Sequence, residues 1–137
     1  MNLEEVINKR KSVRKFTNRD VSDELLEEII VLARKAPSAG AIRGYSTTIT
    51  REKITHVDAP VYIIIWCDKE KYSPRYGKRG KNLYAIQDAT IFGAYIQLLL
   101  VEKGLDSVWV GGFREEKVKK MSNTDLFPVA IIALGYK

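Results

Sequence analysis

The sequence is poor in the residues that build most recognisable chemical sites. Among 137 residues there is one cysteine, Cys67, and one histidine, His56. A lone cysteine excludes an intrachain disulfide, and one Cys with one His are too few for a Cys/His zinc site. Cys67 lies inside the apolar run Val61–Cys67 and is expected to be a buried, inert thiol. His56, next to Asp58 and Pro60, reads as a turn residue. Its count alone leaves a Ser/His/Asp triad open, but no serine stands in a nucleophile-elbow pattern. No Walker motif is present, and no Gly-x-Gly-x-x-Gly follows a strand. No uninterrupted apolar run approaches the ~20 residues needed to cross a bilayer. The stretch Met1–Arg10 carries Glu4 and Glu5 and does not resemble a secretory signal. The expectation is a cytoplasmic protein without a membrane partner.

What is present suits one compact domain, residues 1–137. Asn2 can cap a first helix ending near Arg10, with Leu3, Val6 and Ile7 as its apolar stripe. A second helix is capped by Ser22, opens with Asp23 and Glu24, and stops at Ala36 before Pro37. Gly44–Thr50 reads as a strand, and Val61–Cys67 as a central strand buried on both faces. Asp68–Lys81, with Pro74, Gly77 and Gly80, reads as an exposed, mobile loop. Asn82–Lys103 is expected to form a long helix capped by Asn82 and closed by Gly104. Its apolar residues occupy most of its circumference, so it needs cover on more than one side, and a second copy of the chain is the natural cover. Strands at Ser107–Val110 and Pro128–Leu134 flank a charged helix, Arg114–Met121. The order implies an α+β sandwich, a sheet of about four strands carrying helices.

Three segments stand out chemically. In Arg10-Lys11-Ser12-Val13-Arg14-Lys15-Phe16, cations and a hydroxyl follow a helix end, giving donors for a phosphate and for hydroxyls. In Ala36-Pro37-Ser38-Ala39-Gly40-Ala41, five of six residues are small, so backbone can approach a planar ligand closely. In Trp109-Val110-Gly111-Gly112-Phe113, a glycine pair at a strand end exposes backbone N–H groups. Each alone is equally compatible with an ordinary turn. The net charge of +6 is dispersed. Nucleic-acid binding is disfavoured, because neither an aromatic-studded basic groove nor a recognition helix is found.

Taken in order, Lys9–Phe16, Val21–Ser38 with the small-residue loop, Asp58-Ala59-Pro60, Gln87-Asp88-Ala89, Trp109–Phe113 and Leu134-Gly135-Tyr136 resemble the FMN-dependent nitroreductase family. The resemblance implies a dimeric nitroreductase-like fold with FMN at the subunit interface and NAD(P)H as electron donor. It also implies passage of a hydride through the flavin to a small oxidised acceptor, nitroaromatic or quinone-like. Arg10 and Ser12 would meet the phosphate and ribityl chain, Lys11 would add backbone or charge, and Arg14 would reach the pyrimidine edge. Pro37, Ser38, Ala39 and Gly40 would touch the flavin held mainly by the other subunit, and Gly111 and Gly112 would line its N5 side. No catalytic side chain and no metal is implied. Ala41 stands where the family often has Asn, and no match to the family's Asn and Lys flavin ligands is found before Asp58. The sequence ends at Lys137, where many members continue into an arm with one more phosphate-binding cation. A non-catalytic flavin-binding module of the same fold is the alternative.

Overall fold

A computed structural model describes residues 1–137. Nine main elements follow one another: α1 (Leu3–Lys9), α2 (Asp23–Ala33), β1 (Tyr45–Thr50), β2 (Val61–Cys67), α3 (Ser73–Arg79), α4 (Ala85–Glu102), β3 (Asp106–Val110), α5 (Glu115–Ser122) and β4 (Phe127–Gly135). The strands form one antiparallel sheet in the order β1-β2-β4-β3. The α+β class and the four-strand sheet are therefore as expected.

β2 organises the molecule. All seven of its residues are buried, which requires cover on both faces. Val61, Ile63, Ile65 and Cys67 face a core shared with Leu26 and Ile29 of α2 and with Ala89, Phe92 and Ile96 of α4. Tyr62, Ile64 and Trp66 face a smaller core with Ile54, Val57 and Val118 of α5. The β2–β4 register slips between Ile65 and Trp66, so that Trp66 pairs with Pro128. A bulge is where a strand tolerates a proline that has no N–H to give the ladder. The chain after α1 runs along the outer edge of β3, where Val13 N–H donates to Ser107 O (3.0 Å) and Ser12 pairs with Ser107 in parallel.

The N-caps expected at Asn2 and Ser22 are present. The Asn2 side chain accepts from Glu5 N–H and Ser22 Oγ accepts from Leu25 N–H. α2 ends at Ala33 rather than Ala36. Pro37 disfavours the helical region for Ala36, and the chain leaves through tighter turns, Lys35 N–H to Leu32 O and Ala36 N–H to Ala33 O. Of the stripe expected on α1, only Val6 is buried, while Leu3 and Ile7 are exposed.

The largest correction concerns Asp68–Lys81, which is not a loop. A 3₁₀ turn (Lys69–Lys71), α3 and a wide π turn (Gly80–Tyr84) run into α4, so Asn82 lies inside helical structure and caps nothing. Pro74 sits in the first turn of α3, the position a helix accepts. Gly77 takes a left-handed kink (φ 61°), and Gly80 lets Tyr76 and the Tyr72 carbonyl come close. The punctuating residues thus serve helix ends and close approaches rather than a coil. The composite stretch Ser73–Glu102 is long and apolar enough to span a membrane by length and composition. Ala89, Phe92, Ile96 and Leu100 are nevertheless fully buried within the protein, so this is a core helix. Gly93 lets α4 press onto the sheet: a Cβ there would lie 2.5 Å from Trp109 Cζ3 and 2.8 Å from Ile65 Cδ1.

Two outcomes follow from this packing. Gly93→Ala should destabilise the fold by about 1–3 kcal/mol in chemical denaturation, because overpacking forces ring and helix apart. Burial raises the Cys67 thiol from 9.0 to about 11. The unfolded chain therefore releases this proton first, and stability is lost as pH climbs from about 9 towards 11. Cys67→Ala should flatten that alkaline slope in pH-dependent melting.

Candidate functional site

The loop that follows α2 is built around a buried carboxylate. Asp88 lies one turn into α4 and is 4 % exposed. Its Oδ2 accepts from Ser38 Oγ and from Tyr72 Oη (2.7 Å), and its two oxygens share the Ala39 N–H (3.1 and 3.2 Å). Ser38 Oγ accepts the Arg43 N–H (2.9 Å), and Tyr72 Oη accepts the Gly44 N–H (3.0 Å). Both hydroxyls thus have their protons free for Asp88, which acts throughout as acceptor. Burial, and then the bond to Asp88, push the Tyr72 phenol well above its ordinary value. Tyr72 remains a neutral donor across the physiological range.

The backbone held in this way is strained. Gly40, Ala41 and Arg43 all take left-handed φ (54°, 56° and 47°), which costs a non-glycine residue about 1–2 kcal/mol. Arg43 offsets part of that cost. Its Nε donates to Arg34 O (2.7 Å) and its Nη2 to Ala36 O (3.4 Å), serving carbonyls that the end of α2 leaves open. At Gly40, a Cβ would meet Arg75 Nη1 and Tyr76 Oη, so both side-chain ends would have to shift, and the left-handed φ favours glycine in any case. Beside the loop, Pro37, Ser38, Ala39, Tyr76, Tyr84, Gln87, Asp88 and Ile91 line an open cavity of about 320 Å³. Its two tyrosines meet edge-to-face with centroids 5.2 Å apart.

The other expected residues lie elsewhere on the chain. Arg10, Lys11, Ser12 and Arg14 are exposed, and none of the three cations forms an intrachain ion pair. Lys11 borders a cavity of about 410 Å³ with Asn8, Asp106 and Lys137. Gly111 and Gly112 follow β3, and a Cβ on either would meet nothing within 4 Å. β3 thus has Ser12 near one end and Gly111 past the other. The four residues from Ser107 to Gly111 correspond to about 13 Å of strand rise. Gly112 borders a further cavity, about 330 Å³, with Lys53, His56, Arg114 and Lys117.

One chain therefore joins Pro37, Ser38 and Ala39 in one place, and lays Arg10 to Arg14 and the glycine pair along the edge of β3. No single cavity unites the two groups. The residues fit a flat ligand with an anionic tail: unpaired cations and a hydroxyl at one end of β3, and open glycine backbone with a basic rim at the other. Three residues near these segments were not named as candidates from the sequence. Lys53 and His56 look like an ordinary turn until the fold sets them beside Gly112, and Arg75 was one of several cations in the supposed loop, where Tyr76 already stood out as an aromatic able to gate a ligand face. Asp88 did carry a signal, as the one acid among the apolar positions Ile86–Leu100.

Comparison with known proteins decides the relationship. The profile of the Nitroreductase family matches residues 7–58 and 52–136. The chain belongs to the nitroreductase family. A protein of Methanothermobacter thermautotrophicus that bears the name NADH dehydrogenase/NAD(P)H nitroreductase is 31 % identical over 157 residues, covering 99 % of this chain and 78 % of the relative. A nitroreductase family protein from Clostridium difficile 630 superposes with a TM-score of 0.87 at 30 % identity, covering 100 % of this chain and 85 % of that one. The same fold occurs in a nitroreductase from Exiguobacterium sibiricum 255-15 solved in complex with FMN (TM-score 0.84, 14 % identity, 99 % and 88 % covered).

The strain at Ala41 gives a direct check. Ala41→Gly should raise stability by up to about 1 kcal/mol in denaturant titration, since relief of the left-handed penalty exceeds the entropy glycine adds to the unfolded chain.

Proposed function

We propose that this nitroreductase family member is an FMN-dependent NAD(P)H oxidoreductase that works as a homodimer on a small oxidised acceptor, with residues 1–137 acting as one domain. The observation that carries the reading is the division of the site in one chain. Cations and open glycine backbone lie along β3, whereas the small-residue loop lies against α4. Two copies are needed to close such a site around one flat ligand. Exposed apolar side chains supply a surface for that pairing: Leu3 and Ile7 on α1, Val31 and Leu32 on α2, Ile91 and Tyr95 on α4. The FMN complex of the Exiguobacterium fold neighbour and the name of the Methanothermobacter relative support the cofactor and the donor.

In this reading Arg10 and Ser12 hold the phosphate and ribityl hydroxyls, with Lys11 adding charge. FMN would supply two-electron chemistry, taking a hydride from NAD(P)H and passing it on. Arg14 would place positive charge at the polar edge of the ring, which favours the more negative, reduced state of a ligand there. Gly111 and Gly112 offer backbone N–H groups without side chains that would block approach. Pro37, Ser38, Ala39 and Gly40 give a close-fitting wall from the partner copy, and Tyr76 and Tyr84 add apolar surface that excludes water. No nucleophile or general base is required of the chain.

The protein should retain FMN when refolded or titrated with it. Anaerobic NADH or NADPH should bleach the bound yellow colour, and an added quinone or nitroarene should restore it. Arg10→Ala and Arg14→Ala should each weaken FMN binding by about tenfold, the worth of one charge-assisted hydrogen bond. A yellow protein that neither nicotinamide bleaches would be a binding module, and failure to retain FMN would overturn the reading altogether.

A further inference from the structure

The family relationship and the cation-bearing segments leave one buried group without a task. Asp88 is an acidic side chain in an otherwise apolar core face of α4, 4 % exposed, and no cation pairs with it. A buried carboxylate is costly unless its lone pairs are satisfied. Here three donors satisfy it, and they come from two segments: Ser38 Oγ and Ala39 N–H from the small-residue loop, and Tyr72 Oη from the segment that leads into α3. Tyr72 is fully buried and reaches both ways, since it also accepts the Gly44 N–H at the far end of the loop. Ser38 does the same with the Arg43 N–H. The carboxylate thus grips the loop at its start through Ser38 and Ala39. Through the two hydroxyls it also grips the end, at Arg43 and Gly44.

Resting on the FMN reading above, we infer that Asp88 is a positioning residue for the flavin. It holds loop 37–44 in a strained, left-handed shape that presents backbone to the ring, and through Tyr72 it ties that loop to the segment carrying Arg75 and Tyr76. Two observations make the inference specific. First, the strain has to be opposed, because Ala41 and Arg43 would relax to negative φ if their neighbours' bonds were lost. Second, the two segments are joined, because Tyr72 donates to Asp88 and accepts the Gly44 N–H, and the ends of the Arg75 and Tyr76 side chains lie against Gly40. Asp88 acts in this inference through Ser38, Ala39 and Tyr72, to which its carboxylate oxygens are bonded.

The test uses the full-length protein and FMN as probe. Asp88→Asn, Ser38→Ala and Tyr72→Phe are each measured for FMN dissociation constant, for visible circular dichroism of the bound flavin, and for melting temperature without ligand. Tyr72→Phe keeps the ring in the core and removes only the two hydroxyl bonds, so it remains informative if Asp88→Asn fails to fold. The expected result is a rise of about tenfold or more in the dissociation constant for each variant, the loss of one hydrogen bond to a charged group, with an altered flavin dichroic band. Adding Ala41→Gly to Asp88→Asn should recover part of the affinity, because glycine needs no help to stay left-handed. Asp125→Asn, in the turn after α5, serves as an unaffected carboxylate control.

Dissociation constants within twofold of the parent, with an unchanged dichroic band, would overturn the inference while leaving the FMN reading intact. A lower melting temperature with unchanged affinity would make Asp88 a folding residue only, and overturn it as well. A parent protein that binds no FMN would instead remove the reading beneath it.

Discussion

Burial of β2 on both faces is the constraint from which the remainder of the architecture follows. A strand with no solvated side must have a paired strand on each edge and a helical layer above and below. β1 and β4 supply the edges, α2 with α4 covers one face, and α5 with the Ile54–Val57 turn covers the other. Once α4 is pressed against the sheet at Gly93, its first turn comes to lie over the exit of α2. That geometry brings an acidic side chain near a loop whose backbone could not otherwise hold its shape. The site is thus a by-product of closing the core, with strain on the loop offset by a carboxylate that the core would not otherwise tolerate.

The two parts of the site are stabilised in different ways. Along β3 the groups proposed to face the ligand are exposed cations, a hydroxyl and open glycine backbone, and Arg10, Lys11 and Arg14 have no internal ion pair. Around Asp88 the polar groups already have hydrogen-bond partners. In the proposed site a phosphate-tailed ligand would gain most of its electrostatic attraction from the first part and most of its shape selection from the second. Such a separation is natural when the parts come from different copies of the chain, because each is then built for its own local fold and meets the other only at the interface.

Much of this was legible from the amino acids alone, and the reasons differ by element. The caps at Asn2 and Ser22 and the period-free apolar run of β2 are local signals, so they were read correctly. The family motifs at Lys9–Phe16 and Ala36–Ala41 led to the right fold because they recur in order along the whole chain. Asp68–Lys81 was misread because Pro74, Gly77 and Gly80 are also turn formers, and nothing local says that Tyr72 is drawn inward by Asp88, sixteen residues on. The early end of α2 needed the restriction that Pro37 places on its predecessor to outweigh good helix formers at Arg34 and Lys35. Lys53 and His56 were invisible as site residues for a different reason. Their nearness to Gly112 depends on a turn and a strand end sixty residues apart meeting in space, and single-sequence patterning carries no such information.

Residues 10–17 are attached to the rest of the chain by one backbone bond from Val13 to Ser107, by the backbone N–H and the hydroxyl of Thr17 on Tyr136 O, and by Phe16 against the smaller core. Exposed, sparsely bonded strips of this kind belong to the low-stability end of a protein's local opening, whereas the loop near Asp88 is bonded to a buried carboxylate. Occupancy by a polyanionic guest would therefore be felt first as slowed amide exchange along this strip, and the guest's own departure rate would be governed by how often the strip lifts away.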